Sequence, residues 1–400
     1  MKILFVTPDI KLPLAHGAGI RKWNILQGLR TIGSVDVVAC GGDSHSSQNA
    51  AYRGCNEIFH LPSEMINETA AQKRANQSNV MRLMSLIKEG LPRSIATGDA
   101  VAAQAFIREI IYRTDYSVVW VETLRFGAFL DIANSARHIT RILDGDDFSW
   151  IRDWGILRGT AGYGAKILEY IDLLKMRRFE LRCVRDYSCV VRCSEEDAKR
   201  QGRDNVAVIQ NGTDVPACTI RRPESRIIFV GLLSYPPNRM GIEWFLSEIW
   251  PNIKKRIPAA CLDVVGRDPS ERILSANGKN GVLVHGFVRD LTKLYETAAA
   301  SVVPLKAGGG TRLKILESLG RAVPVISTAI GAYGIPLTEV HGLMRRDGVS
   351  AFSAQCIEVL EGRGHEFQRA AKNGQAAVSE MFDWKVIQRA VAKVVEEFSA

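Results

Sequence analysis

The 400-residue chain reads as two doubly wound α/β domains of similar size. Three observations predict this. Short apolar strands alternate with longer helical patterns along the whole length, the signature of parallel sheets. The length exceeds that of one ordinary domain and suits two of about 180–200 residues. A polar stretch with turn residues, Asn211-Gly-Thr-Asp214 followed by Pro216, Arg221, Arg222 and Pro223, divides the pattern in two.

The strands of the first half are Ile3–Val6, Val35–Ala39, Val118–Val121, Thr140–Leu143 and Cys189–Cys193. Helices are predicted near Ile20–Ile32, Val101–Tyr112 and Ala165–Val184. The second half repeats the plan with strands Ile227–Val230, Leu262–Val265, Val282–His285, Ser301–Pro304 and Val323–Ser327. Its helices are expected at Ile242–Ile257, Asp290–Ala298, Arg312–Leu319 and Ser353–Glu361. The boundary falls at 212/213, and the run from Phe382 to the C-terminus is expected to pack back on the first domain. Ligands of such sheets bind beyond the carboxyl ends of the strands, so a cleft faced by both domains is the expected site.

Hydrophobic content of 46% with 24% charged residues is that of a globular protein. The apolar opening Ile3–Val6 is too short for a signal peptide, and no stretch reaches the roughly 18 residues that span a bilayer. A cytoplasmic protein is expected. Eight scattered cysteines without Cys-x2-Cys spacing predict free thiols and no zinc. The net charge of +9 is spread as +4 over the first 200 residues and +5 over the last 200. That spread argues against nucleic acid and fits phosphate-bearing substrates or an acidic membrane face.

One segment carries chemistry. After the strand Ser301–Pro304 come Gly308, Gly309 and Gly310, then Thr311 at the expected N-cap, then the helical run Arg312-Leu313-Lys314-Ile-Leu-Glu317. A strand, a glycine turn and a helix start aim unpaired backbone N–H groups at an anion. Arg312 and Lys314 place two cations in a first helical turn, where the helix dipole disfavours them unless an anion is bound. A diphosphate is the natural partner. Glu317, six residues past that cap and about 8–9 Å along the axis, is placed to accept hydrogen bonds from an attached ribose. Neither Gly-Lys-Ser/Thr nor Gly-x-Gly-x-x-Gly is present, so the loop is neither a phosphate loop nor a dinucleotide fingerprint.

These residues resemble the retaining glycosyltransferases of family four, which have the GT-B fold of two Rossmann-like domains facing a central cleft. The resemblance is nearest to a bacterial subgroup that builds polysaccharides. It rests on Val302-Val-Pro-Leu-Lys-Ala-Gly-Gly-Gly-Thr-Arg-Leu-Lys-Ile-Leu-Glu317, on Gly320-Arg-Ala-Val-Pro-Val-Ile-Ser-Thr328 and on Gly331-Ala-Tyr-Gly334. Supporting stretches are Phe229-Val-Gly-Leu-Leu-Ser-Tyr-Pro-Pro-Asn238, Val265-Gly266, His285-Gly-Phe-Val-Arg-Asp290, Cys193-Ser-Glu-Glu-Asp197 and Asn211–Asp214. The resemblance is strong from 185 to 345 and weak between 45 and 115.

The resemblance implies a donor site for a nucleoside diphosphate sugar. Glu317 would hold the ribose, and the amides from Gly310 through Leu313 would meet the diphosphate and the transferred sugar. Arg312 and Lys314 would neutralise the leaving group. Gly231 would close the first strand of the second domain, with Arg239 as a further cation, and the loop from His285 past Val288 would border the base. In the first domain Gly17, Ala18 and Arg21 would form the family's first glycine loop, with His16 beside it. Glu122 and the cluster Asp144, Asp146 and Asp147 would face the cleft at strand ends; that cluster also reads as a cap and turn ahead of Phe148-Ser-Trp. Gly309 stands where the family often has a Glu, Leu232 where it usually has an Arg, and Ala18 where it has a second glycine.

The implied reaction moves a sugar to a saccharide or lipid-linked saccharide acceptor with retention and without a metal or cofactor. A nucleotide-sugar epimerase and a non-catalytic donor-binding scaffold are the competing readings. The segment Val80–Ile87, with Arg82, Lys88 and Arg93 nearby, fits a helix resting on the inner face of an acidic membrane, and equally a core-facing helix with a solvated basic side.

Overall fold

The computed structural model describes residues 1–12, 14, 17–41, 50–62, 92, 95, 100–130, 138–146, 157, 163–217, 219–308, 310–362 and 365–399. The segment Val80–Ile87, with Arg82, Lys88 and Arg93, lies outside them, as do His16, Asp147 and Gly309. The chain divides into two compact units: residues 1–210 with 387–400, and residues 211–386.

The first unit holds a parallel sheet of β1 (Lys2–Pro8), β2 (Ser34–Cys40), β3 (Ile58–Leu61), β4 (Val118–Glu122), β5 (Thr140–Asp146), β6 (Cys189–Arg192) and β7 (Val206–Val208). Their order is β3-β2-β1-β4-β5-β6-β7, so the winding reverses between β1 and β4. The central strands are continuous apolar runs because helices cover both faces. Around them lie α1 (Gly17–Arg30), α2 (Ala100–Arg113), α3 (Tyr163–Asp186) and α4 (Glu195–Gln201). Leu4, Val6, Val119, Val121 and Leu143 pack with Ile107 and Ile110 of α2 and Met176 and Phe179 of α3. The edge strands β3 and β7 are short and half-buried, too brief to register as periodic patterns. Helix α4, too short for a visible apolar period, is capped by Ser194, which accepts from the Asp197 N–H, and ends at Gly202 in the left-handed region (φ 58°).

The second unit holds β8 (Arg226–Val230), β9 (Cys261–Val265), β10 (Val282–Gly286), β11 (Ala300–Val303), β12 (Val325–Ser327) and β13 (Leu343–Arg345), all parallel, in the order β10-β9-β8-β11-β12-β13. Here the reversal lies between β8 and β11. The helices are α5 (Pro236–Trp244), α6 (Trp250–Arg256), α7 (Glu271–Leu274), α8 (Thr292–Thr297), α9 (Leu313–Gly320), α10 (Val349–Leu360), α11 (His365–Phe382) and α12 (Trp384–Phe398), of which Ile387 onward belongs to the first unit.

The single helix expected over Ile242–Ile257 is interrupted by a π turn at Phe245–Ile249. Pro251 is the physical reason, since it has no N–H to continue the ladder and opens α6 instead. Within the first unit, α12 lies directly on α1. A Cβ on Gly28 would come within 2.9 Å of the Gln388 carbonyl oxygen and of Val391 Cβ, and Gln388 Nε2 donates to Asn24 Oδ1 at 2.8 Å. No helix among the described residues is long and apolar enough to cross a membrane.

Candidate functional site

In an open parallel sheet the crevice for a ligand lies beyond the carboxyl ends of the strands where the winding reverses. In the second unit those ends are Gly231, after β8, and the Leu305–Gly310 turn, after β11. Gly231 donates its N–H to the Val265 carbonyl at 2.9 Å, and Gly266 donates to the Gly286 carbonyl at 2.8 Å. Glycines thus close three adjacent strands. A Cβ on Gly266 would stand 1.8 Å from the Gly231 carbonyl oxygen, so no larger residue fits there.

The turn after β11 bends through Gly308 (φ 125°) and Gly310 (φ 72°). The cap differs from the sequence expectation by one residue. Helix α9 begins at Leu313, and extended Arg312 occupies the cap position without a side-chain cap bond. Thr311 is buried, so its hydroxyl is not the exposed cap its type suggested. Arg312 folds back, its Nη1 donating to the Gly310 carbonyl at 2.9 Å, and a Cβ on Gly308 would approach its Nη2 to 2.6 Å. Gly308 is thus needed for both its φ and its emptiness. Leu313 packs into the apolar cluster of Val303, Leu305 and Ile315 and leaves only its backbone for a ligand.

Lys314 reaches from the first turn of α9 to the end of β8. Its Nζ lies 4.5 Å from the Phe229 ring centroid and donates to Asn238 Oδ1 at 2.8 Å. Burial, and then the neighbouring Arg312 charge, pull the ammonium down to about 7, against the opposing pull of Glu317. Glu317 is half-buried and lies 3.3 Å from Arg321. Burial pushes its carboxyl up, with Arg321 and Lys314 opposing. Counted from Arg312, it stands five residues along, about 7.5 Å at ~1.5 Å per residue.

Gly231 joins this group directly: a Cβ there would meet Lys314 Nζ at 2.6 Å and Asn238 Nδ2 at 2.8 Å. Arg239 is half-exposed in the first turn of α5. His285, exposed on the edge strand β10, reaches across to β9. Its Nε2 lies 2.6 Å from Oδ1 of fully buried Asp263, which Arg226 also grips at 3.0 and 2.9 Å. Val288 packs against the cluster of Ile228, Val265 and Tyr295.

In the first unit, Gly17 and Ala18 lie in the opening turn of α1, so the expected glycine loop is helical from Gly17 onward. Arg21 does not offer its charge to solvent. It is 3% exposed and binds Asp144 through Nε and Nη2, both at 3.0 Å, while Nη1 donates to the Ile209 carbonyl at 3.0 Å. Burial works against its charge, but Asp144 and then Asp146 outweigh that and raise its pKa. Asp144 is therefore a buried partner rather than a surface carboxylate.

Glu122 ends β4 beside Asp144, its register partner on β5. It is 2% exposed and accepts from Trp120 Nε1 at 3.3 Å. Burial, then Asp144, push its carboxyl up to about 8, against Arg21 and Lys22. Thr123 (φ 70°) and Asp146 (φ 51°) follow at the two strand ends in the left-handed region, a strain that side-chain-bearing residues seldom carry. Among the described residues no group of three His, Cys, Asp or Glu side chains is placed to hold a metal ion.

Asn238 and Phe229 were missed as site residues by sequence reading. Asn238 follows two prolines, and that context signals only a helix start. Phe229 reads as core.

Residues 224–362 match the model of the family described as "Glycosyl transferases group 1". An "Uncharacterized 44.6 kDa protein in cps region" of Klebsiella pneumoniae is 22% identical over 175 residues, 42% of this chain and 45% of that protein, so the match spans less than half the relative's length. Among solved structures, sucrose-phosphate synthase from Thermosynechococcus elongatus superposes with a TM-score of 0.69 at 16% identity, over 99% of this chain and 98% of that one. HepE from Anabaena, in complex with UDP, gives 0.68 at 16% identity, over 99% and 100%. The outer core galactosyltransferase WaaB gives 0.61 at 12%, over 99% of each chain. The fold is GT-B, with two parallel-sheet Rossmann-like domains in one chain, and the stretch that matches the group 1 model lies within the second unit.

Proposed function

We propose that this chain transfers a sugar from a nucleoside diphosphate sugar to a hydroxyl acceptor, with retention, in the assembly of a cell-surface polysaccharide or glycolipid. The observation that carries this is the meeting of Lys314, Arg312 and the Gly308–Gly310 turn at the reversal point between β8 and β11. Two cations and a set of backbone N–H groups at one helix start favour a group whose negative charge grows as a bond breaks. A departing nucleoside diphosphate is such a group. Its diphosphate would meet the amides from Gly310 to Leu313, Glu317 would take the ribose hydroxyls, and the backbone beyond His285 would border the base. No metal is assigned a role, because the leaving charge is met by Arg312 and Lys314.

The cell-surface setting is supported by the likeness to WaaB, described as a lipopolysaccharide outer core galactosyltransferase, and the nucleotide by HepE, whose structure contains UDP. The test is calorimetric titration with UDP, GDP, ADP, CDP and dTDP, followed by product analysis with the matching sugar donors and a panel of saccharide and lipid-linked acceptors. Transfer to an acceptor supports the reading. Isomerisation of the donor without any acceptor would make the protein an epimerase, and binding without transfer across the panel would make it a scaffold.

A further inference from the structure

The residue that follows the glycine at the end of β8 is Leu232, uncharged and 42% exposed. The positive charge at this strand end comes instead from a neighbouring element, since Lys314 reaches across from α9. A lysine stem has four rotatable bonds and holds no fixed position by itself. Here three features restrain it: the Phe229 face beneath, the space left open by Gly231, and the Asn238 side chain.

Asn238 is itself fixed. It is 7% exposed, and its Nδ2 donates to the Leu232 carbonyl at 2.9 Å while its Oδ1 accepts from Lys314 at 2.8 Å. Turning the amide over would set two donors and two acceptors against each other, so its orientation is determined by its neighbours.

The choice of amide over carboxylate matters. An aspartate in this place would form a salt bridge that an incoming phosphate would have to break. An amide oxygen aims the ammonium and leaves its charge unspent, with two of its three donors open. We propose that Asn238 is a positioning residue, which holds the Lys314 ammonium at the end of β8 on an amide oxygen rather than a carboxylate, for the donor diphosphate.

This rests on the reading of the site as a nucleoside diphosphate site. Among the described residues, the charged groups acting on Lys314 are Arg312, at the cap of α9, and Glu317, within it, while β8 and α5 bring the uncharged Phe229 and Asn238. With burial, and then Arg312, holding the Lys314 pKa near 7, its neutral amine fraction takes up a proton when an anion arrives.

The test uses the full chain, the nucleoside diphosphate it binds most tightly and the corresponding nucleoside. Affinity is measured by calorimetry in two buffers of different ionisation enthalpy, which reads proton uptake. Asn238→Asp, nearly the same shape, is expected to bind the diphosphate at least tenfold more weakly and without proton uptake. Asn238→Ala is expected to bind more weakly because the ammonium is no longer aimed, and Lys314→Met to lose the uptake with the cation. Nucleoside affinity should be unchanged in all three. Undiminished diphosphate affinity in Asn238→Asp, or equal losses for diphosphate and nucleoside, would overturn the inference alone. A wild-type chain that bound no nucleoside diphosphate would remove the reading of the site and this inference with it.

Discussion

Glu122 and Asp144 stand side by side at the carboxyl ends of β4 and β5, both almost fully buried, and the Arg21 guanidinium is hydrogen-bonded to Asp144. Two carboxylates out of water beside one another favour a proton on one of them. The pair thus separates into a salt-bridged Asp144 and a Glu122 that keeps its proton up to about 8.

That separation predicts a pH-dependent stability. Unfolded, Glu122 ionises near 4.5; folded, it holds its proton until about 8. Between those values the native state binds more protons than the unfolded state. The Glu122 contribution is therefore fully present below about 4.5 and is lost as pH rises to about 8. Lys22, depressed by burial, acts in the opposite sense, so the comparison must be between wild type and variant. Glu122→Gln removes the carboxyl titration. Its melting temperature relative to wild type should rise by a few degrees between about pH 5.5 and about pH 8.5. A constant difference across that range would show that Glu122 does not titrate there.

Arg21→Leu leaves Asp144 buried without its cation. Removing one partner of a buried pair costs about 3–5 kcal/mol, and the carbonyl of Ile209 loses its donor as well. Thermal unfolding should show a marked drop, part of which Arg21→Leu with Asp144→Asn regains by removing the stranded charge. A double variant no more stable than the single one would place the damage in packing instead.

What could be read from the sequence follows from distance along the chain. The β11 strand, its glycine turn and α9 were legible because their residues are consecutive and their pattern is local. The Lys314–Asn238 contact joins residues 76 apart, and Arg21–Asp144 joins residues 123 apart. Both depend on strand order, since β8 lies beside β11 and β4 joins β1, which leads into α1, to β5, and periodicity does not report order. Thr311 was a reasonable cap by residue type. Burial of Thr311 and the fold-back of Arg312 onto Gly310 moved the helix start by one residue. Strands β3, β7 and β13, of three or four residues, are too short to alternate visibly.

Gly308→Ala tests whether the turn serves the ligand or only the chain. A β-carbon there is strained at φ 125° and would press on Arg312 Nη2 at 2.6 Å. The backbone cost is about 1–3 kcal/mol, which a domain of this size survives. The nucleoside diphosphate should nevertheless bind roughly tenfold more weakly, as Arg312 and the following amides shift. Isothermal titration of the folded variant decides this, and wild-type affinity would mean that the turn does not touch the ligand.

Glu317 offers a sharper test, because its proposed partner is one sugar ring. A carboxylate accepting a hydroxyl hydrogen bond contributes about 1.5–3 kcal/mol, so Glu317→Gln should weaken a ribonucleoside diphosphate by roughly 10- to 100-fold. The same substitution frees Arg321, 3.3 Å away, and a fold effect through that arginine would weaken any nucleotide equally. The matching 2′-deoxynucleoside diphosphate separates the two. It lacks one hydroxyl for the carboxylate to accept from, so it should bind wild type more weakly and lose much less on substitution. A loss of the same size for the ribo and deoxy ligands would assign Glu317 to Arg321 and the helix rather than to the ribose.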